Sequence, residues 1–120
     1  MSVSNGVLTL AGTAGLSFTT GDGTNDAMLV FTGTVANINT ALATLTYTPT
    51  ANYSGADTLS IVTNDLGNSG TGGAQSDSDT VAITVNAVND APVNTVPGAQ
   101  IGTEDTALVF SSGNGNPIQI

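Results

Sequence analysis

Short runs of alternating apolar and polar residues, separated by turns rich in Gly, Asn and Asp, recur along this chain of 120 residues. Alternation with a period of two is typical of β-strands that bury one face. The two strongest runs occupy residues 58–63 (T-L-S-I-V-T) and 80–85 (T-V-A-I-T-V). We expect these two runs to pair as an antiparallel hairpin, with residues 65–79 as the connection.

Weaker runs predict the remaining strands. Residues 6–10 and 15–19 are predicted to form a hairpin across residues 11–14. Residues 27–32 (A-M-L-V-F-T) are too apolar to alternate, which predicts a strand buried on both faces. Residues 44–48 (T-L-T-Y-T) alternate and are followed by Pro49.

One segment departs from the strand pattern, because its apolar residues recur three or four positions apart. This spacing over residues 34–45 predicts a short helix, with Thr34 as its N-cap. The apolar positions are Val35, Ile38, Leu42 and Leu45. The sequence therefore predicts an all-β sandwich with one short helix at its edge.

Proline and small polar residues replace the strand pattern after residue 85. We therefore predict that residues 1–88 form most of one module and that residues 89–93 form a linker. Residues 94–120 contain a further apolar run at 106–111 and are predicted to be the opening strands of the next module. Two alternatives stay open: residues 91–120 fold back onto residues 1–88, or they exchange strands with a second molecule.

Charge and composition restrict the possible functions. The chain has nine Asp and Glu and no Lys, Arg or His, which gives a net charge of −9. Because the chain has no cationic side chain, side-chain salt bridges are excluded. Because it has no Cys, disulfides are excluded as well. Nothing in it could displace counterions from a nucleic acid, and no run of ~18 apolar residues predicts a membrane span. General base chemistry would depend on a carboxylate alone, so we predict that the chain is not an enzyme.

The predicted hairpin divides its acidic residues between two ends. Asp65, Asp77 and Asp79 are expected at the loop end. The opposite end is expected to hold Asp57, Asn86, Asn89 and Asp90. Gathered carboxylates repel one another, and carboxylate and amide oxygens are ligands that suit Ca²⁺. This arrangement predicts Ca²⁺ binding at both ends.

Several motifs resemble those of a known family. They are Y-T-P at 47–49, N-Y-S-G-A-D-T-L at 52–59, D-T-V-A-I-T-V at 79–85, V-N-D-A-P at 88–92 and T-E-D-T-A-L at 103–108. Together they resemble the bacterial cadherin-like or Ig-like tandem repeats of large RTX-type adhesins. The resemblance implies an Ig-like or cadherin-like β-sandwich, secretion, and display at the cell surface.

The resemblance also implies Ca²⁺ at the junctions between repeats. Asp65 matches an interdomain ligand, and Asn89 and Asp90 match the linker ligands. Glu104 belongs to the segment that opens the next repeat, and Asn86 stands where cadherin linkers often carry Asp. The implied partners are neighbouring repeats of the same polypeptide and a strand-exchanged homodimer.

The function expected from these features is that of a spacer in a secreted, repetitive bacterial adhesin, stiffened by Ca²⁺. The alternative is an adhesion module that recognises glycan or another surface. An enzyme ranks third, with Asp77 and Asp79 as its carboxylates. Neither nucleic-acid binding nor membrane insertion is expected.

Overall fold

The computed structural model describes residues 1–68 and 70–120. It divides the chain into two compact units, Met1–Val88 and Asn89–Ile120. The elements of the first unit, in chain order, are β1 (Gly6–Thr9), β2 (Leu16–Thr20), β3 (Val30–Gly33), α1 (Val35–Leu42), β4 (Thr46–Pro49), β5 (Gly55–Asn64) and β6 (Ser76–Val85). The all-β class with one short helix is confirmed.

The strands form three antiparallel pairs: β1 with β4, β2 with β3, and β5 with β6. Single bridges connect further segments. Leu8 of β1 bridges Asp26, and Ser2 bridges both Met28 and Ser60 of β5. The N-terminal residues thus lie between residue 28 and β5, and they close part of the outer edge of β5.

Two of the predicted strand arrangements are wrong. Residues 6–10 and 15–19 do not pair with each other, because β1 pairs with β4 and β2 pairs with β3. The backbone N–H of Leu10 instead donates to Gly23, and that of Ala11 to Ala41. The segment predicted to be buried on both faces is also mostly exposed, with Met28 54% and Val30 40% exposed, although Leu29 is fully buried.

The predicted helix is confirmed as α1, which is shorter than the periodic segment. Thr34 has extended backbone angles, and its hydroxyl accepts a hydrogen bond from the N–H of Asn37 at 3.2 Å. This is the N-cap geometry that satisfies a free donor of the first turn. The buried residue of α1 is Ala41, whereas Val35 is 76% exposed.

The predicted hairpin of β5 and β6 is confirmed and is longer than the alternating runs. Its ten residue pairs run from Gly55 opposite Val85 to Asn64 opposite Ser76. Side chains of directly opposite residues share a face. One face carries Leu59, which is buried; the other face is lined mainly by Ser and Thr.

The core of the first unit is small and aliphatic. Its buried apolar residues are Val3, Leu8, Leu10, Leu29, Ala41 and Leu59. Leu8 from β1 and Leu59 from β5 belong to the same cluster, so two different sheets contribute to it. The core therefore forms from residues that are far apart in the chain.

The second unit contains little regular structure. A bridge joins Thr95 to Gln119, and a 3₁₀ helix spans Ser112–Asn114. Residues 106–111, predicted as a strand, are not in one. Asn116 is buried, and its side chain donates to Gln100 and accepts from the N–H of Ser111. The predicted linker at 89–93 and the separate role of residues 94–120 stay predictions.

Candidate functional site

The carboxylate of Asp57, near the start of β5, is buried and surrounded by hydrogen-bond donors. Asp57 as a whole is 5% exposed. The backbone N–H groups of Ser4, Asn5 and Thr58 donate to it at 3.1, 2.9 and 2.8 Å. The hydroxyl of Tyr47 donates to it at 2.9 Å. The carboxylate therefore joins the N-terminal segment, β4 and β5.

Burial and these hydrogen bonds together shift the pKa of both side chains. Burial acts to raise the pKa of Asp57, but the donors of Asn5, Thr58, Tyr47 and Ser4 outweigh it and lower the pKa to about 2. Burial and the adjacent Asp57 carboxylate raise the pKa of Tyr47 to about 12. Asp57 is thus ionised and Tyr47 is protonated at neutral pH, which suits a structural hydrogen bond.

Close packing around Tyr47 explains other parts of the motif in residues 47–59. A Cβ at Gly6 would collide with the Tyr47 ring, so only glycine lets the ring lie over β1. The hydroxyl of Tyr53 donates to the carbonyl of Ala56. Gly55 has a φ of 139°, which side chains rarely adopt. The motif therefore has a structural explanation in this unit.

The acidic residues predicted at the loop end of the hairpin lie along one face without forming a cluster. Asp77 is opposite Thr63 and Asp79 is opposite Ile61, and side chains two residues apart on a strand are separated by ~7 Å. Asp65 accepts hydrogen bonds from the N–H groups of Gly67 and Gln75 at 2.9 and 2.8 Å. Its carboxylate orders the start of the loop.

The predicted metal ligands do not assemble into a metal site in the structure. Within residues 1–68 and 70–120, no three acidic side chains lie close enough together to hold a metal ion. Asn86 is exposed in the first unit, and Asn89, Asp90 and Glu104 are exposed in the second. The classification of the chain as calcium-binding is therefore wrong for the described residues. The ligand roles of the individual residues stay predictions.

A second carboxylate closes the turn between β2 and β3. Asp26 accepts hydrogen bonds from the N–H groups of Asp22, Gly23 and Thr24 at 3.0, 2.9 and 3.1 Å. The hydrogen bond from Asp22 has the largest effect, and the three bonds together outweigh burial and lower the pKa of Asp26. The N–H of Asp26 also donates to Leu8 at 3.0 Å, so the turn is attached to β1.

In the described part of the chain β6 pairs only with β5, so no strand lies beside its outer edge. The N–H and the C=O of Ser60 both bond to Ser2, at 2.9 and 3.0 Å, and so point away from β6. Ser60 lies opposite Thr80. In an antiparallel ladder this is a non-hydrogen-bonded pair, so the N–H and C=O of Thr80 point outward as well.

The same alternation assigns every second residue of β6 to the outer edge. Ser78 agrees with this assignment, because its N–H donates to the side chain of Asp77 at 3.0 Å rather than to β5. No comparable bond is made at Thr80, Ala82 or Thr84 within the described residues. Val81 lies beside this edge and is 51% exposed. We call Thr80, Ala82 and Thr84, with their outward backbone groups, the free edge.

Residues 7–72, more than half of the chain, match the model of a family described as the Protein GAMETE EXPRESSED 2 domain. The chain belongs to this family. No curated protein matches the chain. No solved structure matches it either. The match begins in β1 and ends in the loop after β5, so β6 and its free edge lie beyond it.

Membership of the GAMETE EXPRESSED 2 domain family corrects the resemblance drawn from the sequence. The assignment to bacterial cadherin-like or Ig-like repeats of RTX adhesins is wrong, and so is the function of an adhesin spacer with a glycan-binding alternative. The motifs gave the wrong family because their residues have structural roles in this fold: Tyr47 and Asp57 are hydrogen-bonded to each other, and Gly55 has a positive φ.

The free edge was missed by the sequence analysis. The alternation in residues 80–85 was visible, but it does not tell which strand is last in its sheet. Two signals were nevertheless present: Asp77 and Asp79 on one face, and Ser or Thr at most positions of the other. Charged and polar residues of this kind are typical of edge strands.

No helix in the described part of the chain is long and apolar enough to cross a membrane.

Proposed function

We propose that this chain is a non-catalytic protein-binding module that accepts an extended segment of a partner at the free edge of β6. The observation that carries the proposal is the set of outward backbone groups at Thr80, Ala82 and Thr84. Such groups pair readily with an added strand, and main-chain hydrogen bonds then supply affinity.

The chemistry of the chain supports a binding role over catalysis. His, Cys, Lys and Arg are absent, so acid–base work would depend on carboxylates. Asp57, whose pKa is lowered to about 2, is engaged by four donors and is buried. A group held in this way stabilises the fold and is not presented to a substrate.

We further infer that the sheets of the first unit pack as two layers of an Ig-like β-sandwich. The shared core of Leu8 from β1 and Leu59 from β5 supports this arrangement. Secretion and display at a cell surface stay predictions, as do neighbouring parts of the same polypeptide and a strand-exchanged homodimer as partners. The family description names gametes as the place of expression.

The test is a selection of displayed random peptides on the immobilised full chain, followed by binding measurements on two proline variants. Ala82→Pro removes an outward N–H of the free edge, whereas Ala99→Pro makes the same change at an exposed residue of the second unit. We expect selected peptides to lose at least tenfold in affinity for Ala82→Pro and to bind Ala99→Pro normally. Binding that survives Ala82→Pro in every selected peptide would contradict the proposal.

A further inference from the structure

The free edge of β6 lies next to a row of acidic side chains on one face. Asp77, Asp79 and Val81 alternate along β6 and therefore point to the same side of the hairpin. Their cross-strand neighbours are Thr63, Ile61 and Leu59, so β5 places no charge opposite either Asp. A strand added at the free edge would place its own side chains directly beside this row.

The chain itself cannot supply the complementary charge. It contains no Lys, Arg or His anywhere, so a second copy would bring only further carboxylates to the edge. Two copies would also combine two net charges of −9. Charge complementarity thus favours a different polypeptide that carries cationic side chains.

We infer that the free edge recognises a basic extended segment of another protein, an inference that rests on the binding proposed above. Antiparallel addition is the more stable arrangement per residue. In that direction, the partner meets Val81 before Asp79, and Asp79 before Asp77. The segment therefore reads, from its N-terminus, as an apolar residue, any residue, Lys or Arg, any residue, and Lys or Arg.

The other face of the added strand meets a different surface. Ser78, Thr80, Ala82 and Thr84 line that face of β6, and they are small or hydroxyl-bearing. Thr, Ser or Val at the intervening positions of the partner would pack beside them. The pattern thus requires alternation in the partner, and a uniformly basic segment would not satisfy it.

The Asp77 carboxylate would change its hydrogen-bond partner when a strand binds at the free edge. In the free protein its carboxylate accepts the N–H of Ser78. A partner carbonyl at this position would replace the carboxylate as acceptor and release it to pair with the partner's cation. One negative side chain therefore protects the edge when it is empty and binds the partner when it is filled.

The experiment uses the full ¹⁵N-labelled chain and three synthetic peptides of equal length. The first is Val-Thr-Val-Thr-Lys-Thr-Lys, the second is the same sequence reversed, and the third carries Glu in place of Lys. The amides of Thr80, Ala82 and Thr84 are followed by hydrogen exchange. We expect the first peptide to protect these three amides and the Glu peptide to leave them unprotected. The reversed peptide should bind at least about threefold more weakly than the first.

Charge variants separate a specific site from general attraction to an acidic protein. Asp77→Asn with Asp79→Asn should weaken binding of the first peptide by about two- to thirtyfold, as expected for the loss of two exposed ion pairs. Asp90→Asn with Glu104→Gln changes the net charge equally and should leave the affinity within about twofold. Equal losses in the two double variants would overturn the inference.

The remaining outcomes distinguish the inference from the proposed function. If the Glu peptide protects the free edge as well as the Lys peptide, strand binding stands and the basic partner is refuted. If no peptide protects these amides, both are refuted. If their protection instead rises with the concentration of the chain alone, the occupant is a second copy and the inference is overturned.

Discussion

Proline substitutions at adjacent positions of β6 test the assignment of its two edges. Ala82 is assigned an outward N–H, whereas the N–H of Ile83 is assigned to the ladder with β5. Proline removes the N–H in both cases. Ala82→Pro changes little else, since the side chain is already small and exposed. Ile83→Pro also removes a half-buried side chain, so Ile83→Ala is needed as its reference.

The expected difference follows from the hydrogen bond that is lost. The outward N–H of Ala82 faces solvent, so removing it leaves no buried group without a hydrogen-bond partner. Proline is tolerated at such edge positions, and Ala82→Pro should therefore lower the free energy of unfolding by about 1 kcal/mol or less. At Ile83 a ladder bond is lost and a carbonyl of β5 is left without its partner. Together these effects cost roughly 2–4 kcal/mol beyond Ile83→Ala. A unit of this size is stable by only roughly 4–13 kcal/mol.

The assay is thermal unfolding followed by circular dichroism, supported by urea titration. At ~4–8 °C per kcal/mol, Ile83→Pro should lower the melting temperature by roughly 8–30 °C relative to Ile83→Ala. Ala82→Pro should lower it by less than about 8 °C. A loss at Ala82 as large as that at Ile83 would refute the register from which the free edge is derived.

Three further predictions concern the core, the buried carboxylate and the net charge. Leu8→Ala empties a fully buried position and should lower the free energy of unfolding by ~2–5 kcal/mol in urea titrations, whereas Val62→Ala at a 63% exposed strand position should change it by ~0.5 kcal/mol or less. The pKa of Asp57 is lowered to about 2, so its contribution to stability should be complete above the unfolded pKa near ~4 and disappear as the pH falls through about 2. Urea titrations of Asp57→Asn across this pH range should show a smaller loss of stability in acid, with the part due to Asp26, whose pKa is also lowered, retained. Added NaCl should raise the melting temperature steadily from 10 to 300 mM, because salt screens repulsion among nine negative charges and no side-chain ion pair exists to be weakened.

Each of these has a result that would contradict it. Equal effects of Leu8→Ala and Val62→Ala would mean that β1 does not bury Leu8. A loss of stability in acid that is as large in Asp57→Asn as in the unchanged chain would show that Asp57 does not contribute to it. A melting temperature that falls with NaCl would show that attractive charge interactions outweigh repulsion.

Local signals in the sequence were sufficient for some elements. The spacing of Ile38 and Leu42, with Thr34 before them, was enough to predict α1, because helix periodicity and capping involve residues within one or two turns. The β5–β6 hairpin was also predictable, since the two strands are close in the chain and alternate strongly. Such contacts need little information beyond their own residues.

Non-local pairing could not be derived in the same way. Residues 6–10 and 15–19 are neighbours in the chain and look like a hairpin, yet β1 pairs with β4 some forty residues later. Several strands here have similar composition, and alternation does not rank their possible partners. In the observed pairing Leu8 and Leu29 are both fully buried in one cluster, a non-local result that alternation along the chain does not encode.

The sequence by itself determined the all-β class, the helix, the hairpin and the absence of any cation, because composition and short-range periodicity encode these properties. Tertiary structure alone decided the role of Asp57, whose donors at Ser4 and Asn5 lie more than fifty residues away in the chain. It also decided the free edge of β6. A strand edge is free only when no other segment of the unit pairs with it, and that is a property of the whole unit.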